Sequence, residues 1–244
     1  MPGDSAVAAR EMARLAISAT SWDDHWWQAS GHEITPADVI AALGPHLSTD
    51  RKQRIEQVLD RRTYRLAVVV DGMVDTGNVA AVMRSVEAFG VQAFHVVDTA
   101  GRYKHSRRTT QGAEKWLDRW RWQSPGDCVR FLRAAGYTVA VTRAGGEPID
   151  RFGFTDPTAL VFGNELDGVS AEMADAADVV LGIPMMGFAQ SLNISVAVGI
   201  SLAAARPRLA GALSAEERDR LRAVWYQQSV PNPGPLLARF RGSP

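Results

Sequence analysis

The chain has 244 residues, 46% hydrophobic and 22% charged, with 27 basic side chains against 27 acidic ones and a formal net charge of zero. That length holds one large domain, or a domain of about 150 residues with extensions, and a core that needs no disulfide or metal staple. The single cysteine, Cys128, excludes an internal disulfide framework and any multi-cysteine zinc site, and the balanced charge confines any polyanion contact to local patches.

Asp4, Arg10, Glu11 and Arg14 interrupt the apolar stretch that a signal peptide needs. The longest apolar run, residues 194–205, carries Ser195 and Ser201 and is too short to span a bilayer. A soluble, cytoplasmic protein is expected.

In chain order, residues 5–18 and 36–43 read as helices, the second with Thr35 as N-cap and Pro36 at the first helical position. A helix over about 50–62 places Ile55, Val58 and Leu59 on one face. The pattern then alternates. Residues 65–72 form a strand, 77–90 a helix stopped by Gly90, and 91–98 a strand. In "WLDRWRW", Trp116, Trp120 and Trp122 fall at even spacing on one strand face. A helix over 126–136, strands over 137–142 and 158–165, a short helix over 170–177 and a strand over 178–184 follow. The last helix of the core runs from Ile194. A capping box, Ser214 with Glu217, opens a C-terminal helix.

Apolar strands alternating with helices specify an α/β fold, a mostly parallel sheet with helices on both faces. The expected division is a helical extension over 1–63, the α/β domain over 64–208 and a second helical extension over 209–244.

In such sheets the ligand site lies beyond the carboxyl ends of the strands. The segments there are "DGMVDTGN", Thr142, "GNELDG" and "PMMGFAQSLN". None is a GxGxxG fingerprint or a GxxxxGK[ST] loop, so dinucleotide and nucleoside-triphosphate binding lose their usual support. Arg102, Lys104, Arg107 and Arg108 follow a strand near the expected site mouth, where a solvated cluster and an RNA phosphate site are almost equally good readings. His25, His32, His46, His95 and His105 show no metal-ligand spacing, so no metal is expected.

Three stretches, "NVAAVMRSVEAFG" (78–90), "LVFGNELDGVS" (160–170) and "IPMMGFAQSLNISVA" (183–197), together resemble the SpoU branch of the knotted SPOUT RNA methyltransferases. The match looks closest to the TrmH type, tRNA guanosine 2′-O-methyltransferases, and "RIEQVLDRR" and "QGAEKW" also look TrmH-like. The resemblance implies S-adenosyl-L-methionine as cofactor, an RNA substrate, a C-terminal trefoil knot and a homodimer. It implies Arg84 as the catalytic arginine, with Asn78, Glu165, Ser191 and Asn193 in the reaction centre. It places Thr142, Gly163, Asn164, Gly168, Ile183, Met185, Gly187, Ser191 and Leu192 around the cofactor, with Gly163 offering bare backbone to the adenosine and Ser191 capping the last core helix.

One departure concerns the substrate. Asp75, Thr76 and Gly77 stand where TrmH proteins often carry Lys-Pro-His, and a glycine there is common in relatives acting on ribosomal RNA. The alternatives are an rRNA target with the same chemistry, a non-catalytic RNA-binding protein on this fold, and a small-molecule oxidoreductase on a plain Rossmann core.

Overall fold

The structure, a computed structural model, describes residues 20–21, 34–72, 75–99, 110–164, 167–209 and 213–240. The expected helix over 5–18, the tryptophans at 22, 26 and 27, Glu165, and the basic residues Arg102, Lys104, Arg107 and Arg108 lie outside them.

In chain order the elements are β1 (Thr20–Ser21), α1 (Pro36–Leu43), α2 (Thr49–Leu59), β2 (Thr63–Asp71) and α3 (Thr76–Ala88). Then come β3 (Val91–Val97), β4 (Asp118–Trp122), α4 (Pro125–Ala134), β5 (Thr138–Pro148) and β6 (Thr158–Gly163). The chain finishes with α5 (Ala171–Asp175), β7 (Val179–Gly182), α6 (Ile194–Ala205), α7 (Ala215–Ser229) and α8 (Gly234–Phe240). Two compact units result, one from Met1–Trp22 with Tyr64–Ala210, the other from Asp23–Thr63 with Gly211–Pro244.

The first unit is built on a sheet of order β1-β4-β3-β2-β6-β5-β7. Strands β2 to β7 run parallel, and the two-residue β1 pairs antiparallel with β4 at one edge. Leu66 to Val70 and most of β3 have no solvent exposure, as expected of strands covered on both faces. The two-residue period of β2 feeds two cores. Leu66, Val68 and Val70 meet Val79, Val82 and Met83 of α3 and Ile194, Val198 and Leu202 of α6. Ala67 and Val69 face Cys128, Val129 and Leu132 of α4 and Met173 of α5.

Two elements differ from the sequence expectation. Trp116 lies in a 3-10 turn, Ala113–Trp116, and only Trp120 and Trp122 share the strand face. The turn follows Gly112 at φ 84, and the Trp116 carbonyl accepts a bond from Gln92 Nε2 at 3.0 Å. Strand β5 continues to Pro148, its register against β7 shifting between Thr142 and Glu147. Gly145, at φ 77, supplies the left-handed turn of that bulge. Gly146 supplies the close approach, since a Cβ there would come 2.6 Å from the Leu181 carbonyl carbon.

His95 on β3 is buried against Trp120 and Trp122, its ring stacked 4.5 Å from that of Trp120. Its Nδ1 accepts the Trp122 Nε1 hydrogen at 3.0 Å, which fixes a neutral ring. Burial pushes the imidazole down to about 3, against the opposing pull of the Asp118 carboxylate. The unfolded chain takes up this proton below about pH 6.5 while the fold refuses it until about pH 3. The stabilisation from a neutral His95 is therefore complete above about pH 6.5 and lost as pH falls towards 3, at up to about 1.4 kcal/mol per pH unit. Urea titrations at stepped pH are expected to show this slope in the wild type and its loss in His95→Gln.

The second unit joins residues that precede the parallel strands to residues that follow them. Helix α1 starts at a capping box, Thr35 with Asp38, and α7 starts at the Ser214–Glu217 box. Arg218 and Arg222 of α7 both bind Glu56 of α2, at 2.8 Å and at 2.5 and 2.9 Å, holding its carboxyl below the usual range. The Arg62 guanidinium lies 5.2 Å above the Trp225 ring. The sequence reads as two separate extensions; in the fold, residues from both ends share one unit.

Candidate cofactor cavity and catalytic residues

The carboxyl ends of β6, β5 and β7 lie side by side because these strands are parallel neighbours. Their loops enclose a cavity of about 650 Å³. Of the residues expected around a cofactor, Thr142, Gly163, Asn164, Gly168, Ile183, Met185, Ser191 and Leu192 line it, and Gly187 does not. The rest of the wall includes Val141 and Arg143, which flank Thr142 in the chain without carrying a signal of their own, and Asp167 of the second motif.

The loop after β6 is a closed turn. Asn164 and Gly168 exchange backbone bonds at 3.1 Å each, with Gly168 at φ 71. Asn164 Oδ1 accepts the Asp167 N–H at 2.7 Å, and Asn164 Nδ2 donates to the Gly72 carbonyl at 3.2 Å. Gly163 is required by this turn, since a Cβ would fall onto the backbone of Gly168 and Val169. Gly163 lines the cavity, and the space that a Cβ on it would take is filled by its own loop. Thr142 Oγ1 donates to the Val161 carbonyl at 2.9 Å and so ties β5 to β6 at the cavity floor.

The polar opening of α6 also differs in detail. Helix α6 begins at Ile194, so the N-cap is Asn193 and not Ser191. Asn193 Oδ1 accepts the Ser195 N–H at 3.0 Å and the Ser195 hydroxyl at 2.6 Å. Ser191, two residues short of the cap, is left exposed on the cavity wall. Asn193 Nδ2 donates to Asn78 Oδ1 at 3.1 Å, joining the first turn of α3 to the first turn of α6 across 115 positions. The first turn of α3 is fixed in its own way: the Asp75 carboxylate accepts the N–H groups of Gly77 at 2.6 Å and Asn78 at 3.1 Å.

Arg84, further along α3, is exposed, and its side chain makes no hydrogen bond or ion pair with any described residue. It does not line the cavity of its own chain. Also exposed are Met186 and Phe188, at 95% and 108%, on the loop beside the cavity, and Val196 and Ile200, at 48% and 40%, one turn apart on α6.

Sequence reasoning missed Asp71. It ends β2, is 2% exposed, and accepts the Ser170 N–H at 2.7 Å. The available signal was an acid closing the otherwise apolar run "LAVVVD". Among the described residues no group of three His, Cys, Asp or Glu could hold a metal ion, and no helix is long and apolar enough to cross a membrane.

A parallel sheet carrying a cavity over the carboxyl ends of neighbouring strands is the frame of a small-ligand site. Residues 65–203 match the model of the SpoU rRNA methylase family, and the chain belongs to that family. It is 32% identical over 200 residues to the tRNA (guanosine(18)-2′-O)-methyltransferase of Borreliella burgdorferi, covering 79% of this chain and 92% of that protein. To the enzyme of the same name from Thermus thermophilus it is 36% identical over 181 residues, covering 73% and 92%. The crystal structure of the A. aeolicus TrmH/SpoU tRNA modifying enzyme superposes with a TM-score of 0.67 at 32% identity, over 75% of this chain and 98% of that one. The SpoU methyltransferase AviRb from Streptomyces viridochromogenes, crystallised with AdoMet, gives a TM-score of 0.54 at 31% identity, over 66% and 61%.

Proposed function

We propose that this protein is an S-adenosyl-L-methionine-dependent RNA ribose 2′-O-methyltransferase with a tRNA guanosine as its target. The observation that carries the reading is the convergence of eight family cofactor positions on one cavity, beside the Asn78–Asn193 bond between α3 and α6.

The cavity fits the cofactor. A volume of about 650 Å³ falls in the range of small-molecule sites, and the wall combines apolar Val141, Ile183 and Leu192 with the backbone of the Gly163 and Leu192 turns. When bound, the cofactor supplies a methyl group already activated on a sulfonium, so the proposal needs no metal. The chain contributes position and charge. Arg84 stays protonated and holds phosphate and ribose oxygens of the target, leaving a phosphate oxygen to take the 2′-hydroxyl proton. Asn78 and Asn193, bonded to each other, fix the first turns of both helices at the ribose. Ser191 meets the ribose or the methionine end from the cavity wall, and Glu165 orients Arg84.

A homodimer completes the site. Arg84 stands away from the cavity of its own chain, and Val196 and Ile200 leave α6 with an apolar face for a second copy. In the trefoil knot of this reading, the stretch 183–197 passes through the loop holding 160–170. The methyltransferase domain spans 64–208, and the helical unit made from both ends is an accessory to it. The basic residues Arg102, Lys104, Arg107 and Arg108 bind RNA phosphates. The protein acts in the cytoplasm.

Gly77, in place of the histidine common in TrmH proteins, favours rRNA as the second reading of the target. Mapping 2′-O-methylated positions in total RNA from cells with and without the protein separates the two: a lost tRNA guanosine supports the first, a lost rRNA site the second, and no lost site sinks both. Asn193→Ala is expected to lower kcat about tenfold or more with RNA affinity unchanged. A loss confined to RNA binding would make Asn193 a docking residue.

A further inference from the structure

We infer that Asp71 is a positioning residue for this reaction: it latches the loop over the cofactor cavity to the strand end that launches the helix carrying Asn78 and Arg84. The inference rests on the methyltransferase reading and adds a residue to it.

Strand β2 is apolar from Leu66 to Val70 and then ends in a carboxylate only 2% exposed. A charge in that place costs free energy unless hydrogen bonds compensate it, and an apolar side chain would serve packing better. The neighbourhood is apolar enough that burial first, and the Asp71 charge after it, push the Cys128 thiol up. What the carboxylate gains is one specific partner. Its Oδ2 accepts the Ser170 N–H at 2.7 Å.

The position of that bond gives it meaning. In the β2–β6 register Asp71 stands opposite Gly163. The loop that leaves the sheet at Gly163 therefore returns, seven residues later, to the same point on β2. The Asn164 Nδ2 bond to the Gly72 carbonyl adds a second tie one residue on. Both fasten the loop whose Gly163, Asn164 and Gly168 line the cavity. On the other side, Asp75 caps α3 and holds the Asn78 N–H. One short segment, 71–78, thus carries the loop anchor at one end and Asn78 at the other. Asp71 does not line the cavity, so it acts through the loop rather than on the ligand.

The test uses the full chain, three variants and a control. Asp71→Ala removes the acceptor; Asp71→Asn keeps an oxygen for the Ser170 N–H. Ser170→Pro removes the donor without touching β2, at a φ of −58 that proline adopts, and Ser170→Ala, which keeps the N–H and loses only the hydroxyl that caps α5 at Met173, is its control. Asp71→Ala and Ser170→Pro are expected to raise the Kd and KM for S-adenosyl-L-methionine about tenfold, with the KM for RNA within about twofold. Peptides spanning 163–170 should exchange amide hydrogen faster in both, and Asp71→Asn should restore most of each loss. Wild-type cofactor affinity and wild-type exchange over 163–170 in Asp71→Ala would overturn the latch, as would a lower Tm with all constants per folded molecule unchanged. If Asp71→Ala does not fold, Ser170→Pro decides by the same readings. Should the wild type itself not bind the cofactor, the methyltransferase reading fails, and hydrogen exchange alone still decides whether Asp71 holds the loop.

Discussion

Arg84→Ala is expected to reduce methyl transfer by about 10²- to 10³-fold, the cost of removing one donor aimed at developing charge, while Tm and cofactor affinity stay at wild-type values. Both halves of that result follow from where Arg84 lies. It is exposed and its side chain binds no described residue, so its loss costs the fold little. It is outside the cavity of its own chain, so cofactor binding does not depend on it. Arg84→Lys should recover little activity, because a point charge replaces a planar fork matched to phosphate oxygens. Single-turnover assays beside calorimetric cofactor titration check the claim, and wild-type-like turnover in Arg84→Ala would remove the assigned role.

Gly163→Ala should act in the opposite way, through the cavity. The new methyl group has no room against Gly168 and Val169, and both are backbone, which cannot swing aside as a flexible side chain does. The loop must open and break the Asn164–Gly168 bridge. Overpacking of this kind costs about 1–3 kcal/mol, so a lower Tm is expected together with at least a tenfold loss of cofactor affinity. Gly153→Ala is the control. There the nearest atom to the added Cβ is a Thr155 side-chain carbon at 3.7 Å, an ordinary contact, and stability should hold.

The sheet was largely legible because its strands are buried on both faces. Runs such as "LAVVV" and "ALVF" have no polar residue to confuse the reading, and Gly90 and Gly136, at φ 73 and 83, mark helix ends where glycine alone is unstrained. The site was legible by motif. Residues from the second and third stretches line one cavity, and Asn78 of the first bonds Asn193 of the third, a contact that could not be read from spacing, because nothing local records a contact across 115 positions. Three details stayed hidden for the same reason. The N-cap of α6 passed to Asn193 once Asn78 offered its amide a second partner. The need for a glycine at 163 arises only after the loop has closed and brought Gly168 against it. The burial of Asp71 depends on a partner 99 residues away.

The pairing of the two chain ends sets an order of events during synthesis. Helix α2 emerges from the ribosome early, but the arginines that neutralise Glu56 sit at 218 and 222, and the ring beneath Arg62 sits at 225. The segment over 34–63 must therefore wait, incomplete, while β2 to β7 are translated. The sheet can mature first, and the helical unit can close only when residues 214–229 have emerged. Removing either 34–63 or 213–240 should consequently undo the same body.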